Sequence, residues 1–179
     1  MKKFLPLLLL LVSSVFIFSC KDDDDDIQQV QVDYPAVYDL QNVNLTYNND
    51  DGWNYSKGFN RPMLGQDIVL IYIQTATTNS GNPIWTALPA TFNPSVNGMI
   101  EEVYYDFDFT INDFKIYARG TFDLSQMSST FLNNKTFRVV LVPAVYGNKN
   151  ANTADFSKMS YDEVIKKYNI DDSKVGTLK

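Results

Sequence analysis

The sequence predicts an all-β fold, an antiparallel β-sandwich that is immunoglobulin-like or related, with one short C-terminal helix. Aromatic residues that favour strands are abundant, with 11 tyrosines and 12 phenylalanines among 179 residues. Polar turn residues interrupt the chain at short intervals, as in proteins built from many short strands. Residues 67–75 and 137–142 are largely apolar without alternation, which indicates central strands that are buried on both faces.

The N-terminal part of the domain contains the first predicted strands. Residues 30–32 predict a short edge strand, which Pro35 ends. Residues 36–47 alternate between apolar and polar side chains. A change of phase within this run predicts a β-bulge near Gln41 and Asn42.

Turn signals divide the next part of the chain. Residues 48–52 predict a hairpin loop, because their Asp-Gly step supplies a positive φ, and residues 53–59 return as the partner strand. Residues 84–88 predict a short strand that ends at Pro89. Residues 92–98 are expected to form a loop.

The strongest hairpin signal lies in residues 105–119, in which apolar and polar side chains alternate on both sides of Asn112 and Asp113. A two-residue turn at this pair predicts that Phe107 and Phe109 face the core, because a one-residue slip would turn them to water. This register places a donor beside each carboxylate, with Asp106 opposite Arg119, Asp108 opposite Tyr117 and Lys115 diagonal to Asp108. Such neighbours favour the ionised carboxylate.

A helix is predicted at residues 161–168. Ser160 is followed three residues later by Glu163, which is the spacing of a capping box. Asn169 suits a left-handed position at the C-terminal end. The apolar side chains at helical spacing, which we expect to pack inward on the sandwich, are Tyr161, Val164, Ile165 and Tyr168.

The composition excludes several classes of function. The chain has no histidine, which removes imidazole metal sites and the Ser-His-Asp and Cys-His arrangements. Its formal net charge is -6 and it has no basic patch, which argues against nucleic acid as a partner. Residues 48–51 and 171–172 are rich in oxygen ligands but lack the spacing of a calcium loop, so we expect them to cap their own turns. We therefore expect no catalytic residue, no metal ion and no cofactor.

The first residues have the pattern of a secretory signal peptide. Lys2 and Lys3 precede an apolar run at residues 4–18, and Ser19 is the small residue before the expected cleavage point. The apolar run is shorter than the about 20 residues that a membrane-spanning helix needs. Cys20, the only cysteine in the sequence, follows directly.

The sequence Ile-Phe-Ser-Cys at residues 17–20 resembles the lipobox of bacterial lipoproteins. The resemblance implies that residues 1–19 are removed and that Cys20 carries acyl chains, such as palmitate, which insert into a membrane. The alternative is an ordinary secreted protein with a free Cys20 thiol, which is unfavourable in an oxidising compartment.

An acidic tract follows the cysteine and consists of Lys21, Asp22, Asp23, Asp24, Asp25 and Asp26. Like charges repel one another, so residues 20–29 are expected to form a disordered tether ahead of a domain at residues 30–179. The tract also resembles the export signal of Bacteroidota-type lipoproteins, which implies a location on the outer membrane facing the cell exterior. The periplasmic face of that membrane is the alternative.

Several segments of the domain resemble a group of short Bacteroidota surface lipoproteins of unassigned function. These segments lie at residues 67–72, 84–89, 105–110, 137–143 and 168–175. The resemblance implies a cell-surface lipoprotein, and it carries over no catalytic residue.

Two pairs of residues are candidates for function within the domain. Trp53 and Tyr55 follow a hairpin loop and are candidates for binding a glycan or protein ligand, although such residues also fill β-sandwich cores. Asp106 and Asp108 share one face of a strand and are the residue type of a glycosidase pair. The alternative for this pair is an outward polar face balanced by cations.

The sequence as a whole predicts a surface-exposed outer-membrane lipoprotein with a non-enzymatic binding or structural role. Its expected partners are the membrane, through the lipid anchor, and a glycan or protein ligand at the cell surface. Two alternatives stay open: a glycan-binding module of a surface nutrient-uptake system, and a carboxylate-dependent hydrolase. An exposed aromatic cluster beside a groove would favour glycan binding, an open sheet edge would favour a structural role, and convergent carboxylates in a pocket would favour an enzyme.

Overall fold

The computed structural model describes residues 37–65, 67–127, 129–142 and 159–178. In chain order, the strands within these ranges are β1 (Val37–Val43), β2 (Thr46–Asn48), β3 (Gly52–Gly58), β4 (Ile68–Thr77), β5 (Pro83–Ala87), β6 (Ala90–Phe92), β7 (Ser95–Val96), β8 (Met99–Ile100), β9 (Val103–Phe109), β10 (Asp113–Gly120), β11 (Lys135–Val142) and β12 (Val175–Gly176). Two short 3₁₀ turns, Leu124–Gln126 and Ser129–Phe131, precede β11. The helix α1 spans Tyr161–Lys167.

The two larger sheets pack face to face, which confirms the predicted all-β sandwich. The first sheet has the strand order β12-β1-β11-β4-β5, and the second has the order β2-β3-β10-β9-β6. The strands β7 and β8 form a separate hairpin. Alternate side chains from both sheets meet between them and form the main core. Its largest fully buried members include Ile71, Tyr105, Phe114, Ile116 and Phe137.

The strands β4 and β11 lie inside the first sheet and are buried on both faces, as their apolar sequences predict. In β11, the side chains of Phe137, Val139 and Leu141 belong to the main core. Val140 and Val142 belong to a second apolar cluster on the outer face of the sheet. Because β11 pairs with both β1 and β4, it occupies the middle of the sheet.

The helix α1 packs on the outer face of the first sheet. It begins in a complete capping box, in which Ser160 and Glu163 each accept a hydrogen bond from the backbone of the other. Asn169, just beyond the C-cap, is left-handed, with a φ of 48°. The Ile170 N–H then donates to the Ile165 carbonyl at 3.0 Å, as in a Schellman motif. The helix is one residue shorter than predicted, and its buried side chains are Tyr161 and Val164, with Tyr168 at the C-cap.

The predicted β-bulge is present in β1. The register with β11 shifts between Leu40 and Val43, and Asn42 has a positive φ of 56°. The single strand predicted at residues 36–47, however, divides into two. Because the bulge bends the chain, β1 pairs in the first sheet and β2 pairs in the second.

The prediction that residues 92–98 form a loop is wrong, because β6 reaches Phe92 and β7 lies within this range. The strand β6 ends at Phe92, and the β7–β8 hairpin has its turn at Asn97 and Gly98, whose φ angles are 53° and 82°. An Asn-Gly step with two positive φ angles matches the twist of the strands that it joins. It therefore supports a hairpin where the composition indicated a loop.

The predicted turn of the β9–β10 hairpin is also wrong, by one residue. The turn is at Ile111 and Asn112 rather than at Asn112 and Asp113, because the Thr110 N–H donates to the Asp113 carbonyl at 2.8 Å. The Thr110 hydroxyl also donates to the Asp113 carboxylate, at 2.5 Å. These side-chain contacts close the turn at a position that alternation alone does not fix.

The corrected register keeps the predicted faces of the hairpin but changes the burial at its tip. Phe109 pairs with Phe114, and Phe107 pairs with Ile116. Phe107 is half-buried against the main core. Phe109 lies on the predicted inner face, but it is 41% exposed and is not buried in the core. Its strand continues past β6, which pairs only with the beginning of β9.

Several predictions concern residues outside the described ranges. They are the signal peptide at residues 1–19, the lipidated Cys20, the tether at residues 20–29 and the edge strand at residues 30–32. Within the described part of the chain, no helix is long and apolar enough to cross a membrane.

Candidate functional site

Trp53 and Tyr55, the predicted ligand-binding residues, lie on the face of β3 that points into the sandwich. Both side chains are half-buried and pack against the main core. The exposed aromatic residue of this hairpin is Tyr47 in β2, whose ring lies 5.8 Å from that of Trp53. Trp53 and Tyr55 therefore do not form an exposed platform, and their role in binding stays a prediction.

The outer face of the second sheet carries a cluster of charged and aromatic side chains. The strand β10 alternates between core and surface, with Ile116 and Ala118 buried in the main core. The residues between and beside them therefore face outward. We call the outward cluster the open face, and its members are Asp51, Asp106, Asp108, Lys115, Tyr117 and Arg119.

Lys115 and Asp51 form one ion pair of the open face. The Lys115 Nζ lies 2.7 Å from the Asp51 Oδ2. This hydrogen bond lowers the pKa of the Asp51 carboxyl and raises the pKa of the Lys115 ammonium. The predicted neighbour of Lys115 was Asp108. The sequence does not indicate Asp51, because it lies in a loop 64 residues away from Lys115 in the chain. This loop precedes β3, and the pairing of β3 with β10 brings Asp51 beside Lys115.

Tyr117 lies at the centre of the open face. Its hydroxyl donates to the Asp108 Oδ2 at 2.6 Å. The Arg119 guanidinium lies 4.8 Å from the centroid of its ring, and the Lys115 Nζ lies 5.9 Å from it. These neighbours leave Tyr117 only 8% exposed. Because Asp108 accepts a hydrogen bond from the protonated phenol, the pKa of Tyr117 rises to about 12.

Arg119 and Asp106 form the second ion pair of the open face. The Arg119 Nη1 donates to the Asp106 Oδ2. The other carboxylate oxygen, Oδ1, is covered and has no hydrogen-bond partner among the described residues.

The three aspartates of the open face are arranged for electrostatic contact. Each accepts a hydrogen bond from a lysine, a tyrosine or an arginine. At Asp51 the hydrogen bond from Lys115 lowers the pKa of the carboxyl, whereas a general acid must hold a proton. The predicted contacts of Asp106 with Arg119 and of Asp108 with Tyr117 are both confirmed, although the observed register makes them diagonal.

A second cluster of the same residue types lies beneath the helix. Arg138, in β11, donates to both carboxylate oxygens of Asp39, at 2.6 and 2.7 Å, and to the Tyr161 hydroxyl at 2.9 Å. That hydroxyl donates in turn to Asp172 at 2.8 Å. The Arg138 guanidinium also lies 4.6 Å from the ring of Trp85. We call these five residues the covered cluster.

The covered cluster is much less exposed than the open face. The side chain of Arg138 is 13% exposed, against 56% for Arg119. The hydrogen bonds to Asp39 raise the pKa of the Arg138 guanidinium, and burial together with Asp172 raises the pKa of Tyr161. The sequence does not indicate this cluster, because its members come from β1, β5, β11 and the helical region, which are far apart in the chain.

Two cavities adjoin these clusters. A groove of about 470 Å³ lies where β4 approaches β9, and the stacked rings of Phe107 and Phe109, with centroids 6.4 Å apart, form one side of it. Its lining is largely apolar and consists of Leu70, Ile71, Tyr72, Ala87, Leu88, Pro89, Phe107, Asp108 and Phe109. We call it the β9 groove. A second cavity, of about 600 Å³, lies beside Tyr55, Lys57 and residues 175–178.

The oxygen-rich loops cap their own turns, as expected. The Asn48 side chain accepts hydrogen bonds from the backbone N–H groups of Asp50, at 3.0 Å, and Asp51, at 2.7 Å. Asp171 accepts one from the Ser173 N–H at 3.2 Å. No group of three or more aspartate, glutamate or cysteine side chains that could hold a metal ion occurs in the described ranges.

Comparison with known proteins leaves the function to be inferred from these residues. No protein-family model, curated protein or solved structure matches the chain. The features that bear on function are therefore the open face, the covered cluster and the β9 groove, together with the N-terminal sequence.

Proposed function

We propose that this chain is a lipid-anchored protein of a bacterial outer membrane, that it faces the cell exterior, and that it binds another molecule without catalysing a reaction. In this proposal Cys20 and residues 21–26 determine the location, and the β-sandwich provides the binding surface. The observation that best supports a binding role is the open face, where positively and negatively charged side chains form ion pairs on the surface of a sheet.

The N-terminal sequence supports the proposed location. Two or more acyl chains on Cys20 would hold the protein stably in a membrane, because each buried methylene contributes about 0.8 kcal/mol. Residues 21–26 have too much like charge to pack in a core and suit an extended spacer between membrane and domain. The short distance between the cysteine and the acidic tract matches the export signal that the tract resembles.

The charges of the open face support binding over hydrolysis. Asp51, Asp106 and Asp108 each hold a donor, and preorganised charges of this kind give specificity and speed to association. A hydrolase that uses two carboxyl groups needs one of them protonated beside the scissile bond. In the open face each aspartate instead accepts a hydrogen bond from a neighbouring lysine, tyrosine or arginine side chain.

The same surface supports a protein ligand over a glycan. An aromatic ring binds a sugar by stacking only where its face is exposed, and Trp53 and Tyr55 pack against the core. The ring of Tyr117 is covered by Arg119. The accessible groups of the open face are instead charges of mixed sign, which are typical of the polar parts of protein interfaces.

The location is tested by labelling cells with an alkyne fatty acid and by adding protease to intact cells. We expect wild-type protein to take up the label and Cys20→Ser to lack it. Replacing Asp22–Asp26 with alanine should protect the protein from protease, whereas replacement with glutamate, which keeps the charge, should not. Label on Cys20→Ser, or equal digestion of the alanine variant and the wild type, would contradict the proposal.

The binding role is tested by lysine-directed crosslinking on intact cells. We expect Lys115, on the open face, to crosslink reproducibly to a cell-surface partner, and Arg119→Ala to weaken that crosslink. Lys166, exposed on the helix, is the matched control position. Crosslinks that form through Lys166 and spare Lys115 would place binding on the opposite side of the sandwich and contradict the role of the open face.

A further inference from the structure

Along its second half, β9 pairs with β10 on one side, and no strand of the described residues pairs with it on the other side. Ala90 of β6 pairs with Tyr105, so Pro89 and Leu88 would have to continue the pairing along β9. They do not, because the Leu88 N–H donates to the Ile71 carbonyl of the first sheet at 2.8 Å. The chain leaves the second sheet at this point, and the uncovered part of β9 borders the β9 groove.

The backbone groups of Phe107 and Phe109 point toward this open edge. Across the hairpin, the Thr110 N–H donates to the Asp113 carbonyl. Hydrogen-bonded pairs alternate with non-hydrogen-bonded pairs in antiparallel strands, so Asp108 directs its N–H and C=O toward β10. Phe107 and Phe109 direct theirs away from β10. An exposed row of such groups is a template for another strand.

The two sides of the open edge differ in chemistry. On the inner side, the stacked rings of Phe107 and Phe109 offer an apolar surface, and Phe109 is 41% exposed. On the outer side, Asp106 and Asp108 carry negative charge, each held in a hydrogen bond with a side chain of β10. A strand added about 4.8 Å from β9 would place alternate side chains beside these two surfaces.

We propose that the open edge of β9 binds an extended segment of a partner protein in which apolar residues alternate with lysine or arginine. This inference rests on the proposed binding function and adds the position of the contact and the chemistry of the partner. The segment pairs its backbone with Phe107 and Phe109 and places its apolar side chains in the β9 groove. Its cations lie beside Asp106 and Asp108.

Charge complementarity selects a partner protein over a second copy of this chain. Pairing two β9 edges would bring Asp106 and Asp108 of one copy beside the same aspartates of the other, and like charges on neighbouring strands are destabilising. A basic segment meets no such repulsion, and the formal net charge of the chain, -6, attracts it.

The test uses the full-length chain in detergent micelles and three fluorescent ten-residue peptides. One peptide alternates valine and lysine, the second has the same composition with the valines and lysines in separate blocks, and the third alternates valine and glutamate. Fluorescence anisotropy should show that the alternating valine–lysine peptide binds at least about tenfold more tightly than the other two.

Variants of Phe109 separate backbone pairing from side-chain contact. Phe109→Ala keeps the N–H that points to the open edge, and Phe109→Pro removes it without removing a hydrogen bond to β10. We expect Phe109→Pro to bind the valine–lysine peptide about tenfold more weakly than Phe109→Ala does. Ile111→Ala, which changes an exposed residue of the adjacent turn, should bind like the wild type.

A charge-reversal variant keeps the test decisive if Phe109→Pro does not fold. Asp108→Lys should weaken binding of the valine–lysine peptide and strengthen binding of the valine–glutamate peptide.

Equal binding of the blocked peptide, no binding of any peptide, or equal affinities of the two Phe109 variants would overturn the proposal. Self-association that Phe109→Pro abolishes would assign the edge to a second copy and overturn it as well. None of these outcomes would alter fatty-acid labelling at Cys20 or crosslinking at Lys115, so a failure here is distinguishable from a failure of the proposed function.

Discussion

The covered cluster and the open face are built from the same contacts and differ in what lies over them. Each contains an arginine paired with an aspartate. Each also contains a tyrosine whose ring contacts that arginine and whose hydroxyl donates to a second aspartate. The covered set is Arg138, Asp39, Tyr161 and Asp172, and the open set is Arg119, Asp106, Tyr117 and Asp108.

Tyr161 of the helix α1, together with Trp85 of β5, accounts for the difference in exposure between the two sets. Beneath the helix, the Arg138 side chain is 13% exposed, whereas Arg119, with no helix over it in the described structure, is 56% exposed. Removing one partner of a desolvated pair leaves an uncompensated charge, but water replaces the lost partner of an exposed pair. The same contacts therefore stabilise the fold on one side of the sandwich and are available to another molecule on the other.

The largest expected effect is at the covered cluster. Arg138→Ala should lower the free energy of unfolding by about 3 kcal/mol, because it leaves the Asp39 carboxylate beneath the helix without its two hydrogen bonds. Urea unfolding measures this loss. A variant within about 1 kcal/mol of the wild type would show that the covered cluster does not stabilise the fold.

The next largest effect on the free energy of unfolding is expected at the N-cap of the helix α1, which packs over the covered cluster. Ser160→Ala should cost about 1 kcal/mol, because it leaves the Glu163 N–H without its side-chain acceptor. Ser173→Ala, which changes a serine beyond the helix, is the control in the same urea titration. An unchanged unfolding midpoint for Ser160→Ala would mean that the cap does not hold the helix in place.

A smaller effect is expected on the open face. Arg119→Ala should change the free energy of unfolding by about 0–1 kcal/mol, because its pair with Asp106 is exposed. The measurement is again urea unfolding, with Arg138→Ala as the reference. A loss of more than about 2 kcal/mol would place the open face among the contacts that hold the fold.

The smallest effect on stability at neutral pH is expected from Asp108→Asn. The pKa of Tyr117 is raised from 10.0 to about 12, chiefly by its hydrogen bond to Asp108. A raised pKa adds stability below the unfolded value, and that stability is lost as the pH rises toward 12. Asp108→Asn should move the phenolate absorbance change of Tyr117 to lower pH, with Tyr117→Phe as the reference. An unchanged titration would contradict the assigned cause.

Local signals in the sequence predicted much of the fold. The capping box of Ser160 and Glu163, the left-handed Asn169 and the bulge at Asn42 each depend on residues close together in the chain. The two buried strands were recognisable because strands covered on both faces lack alternation. The sandwich follows from such signals, since each amphipathic element must bury one face.

Contacts between distant segments could not be predicted in the same way. The alternation of apolar and polar residues determines which face of β9 is buried, but it does not determine which two residues form the turn. The hydrogen bonds between Thr110 and Asp113 determine that position. The pairing of Lys115 with Asp51 depends on which strand lies beside β10, and the covered cluster depends on where the helix packs. The open edge of β9 follows from the departure of the chain at Leu88, which no local pattern marks.

The most direct test of the difference between the two faces is a pair of double-mutant cycles. One cycle combines Arg138→Ala with Asp39→Ala, the other combines Arg119→Ala with Asp106→Ala, and urea unfolding gives the coupling free energy of each pair. We predict that the coupling of Arg138 with Asp39 exceeds that of Arg119 with Asp106 by at least about 1 kcal/mol. Equal couplings, or a larger coupling on the open face, would contradict the conclusion that the helix makes one set of contacts structural and leaves the other free to bind.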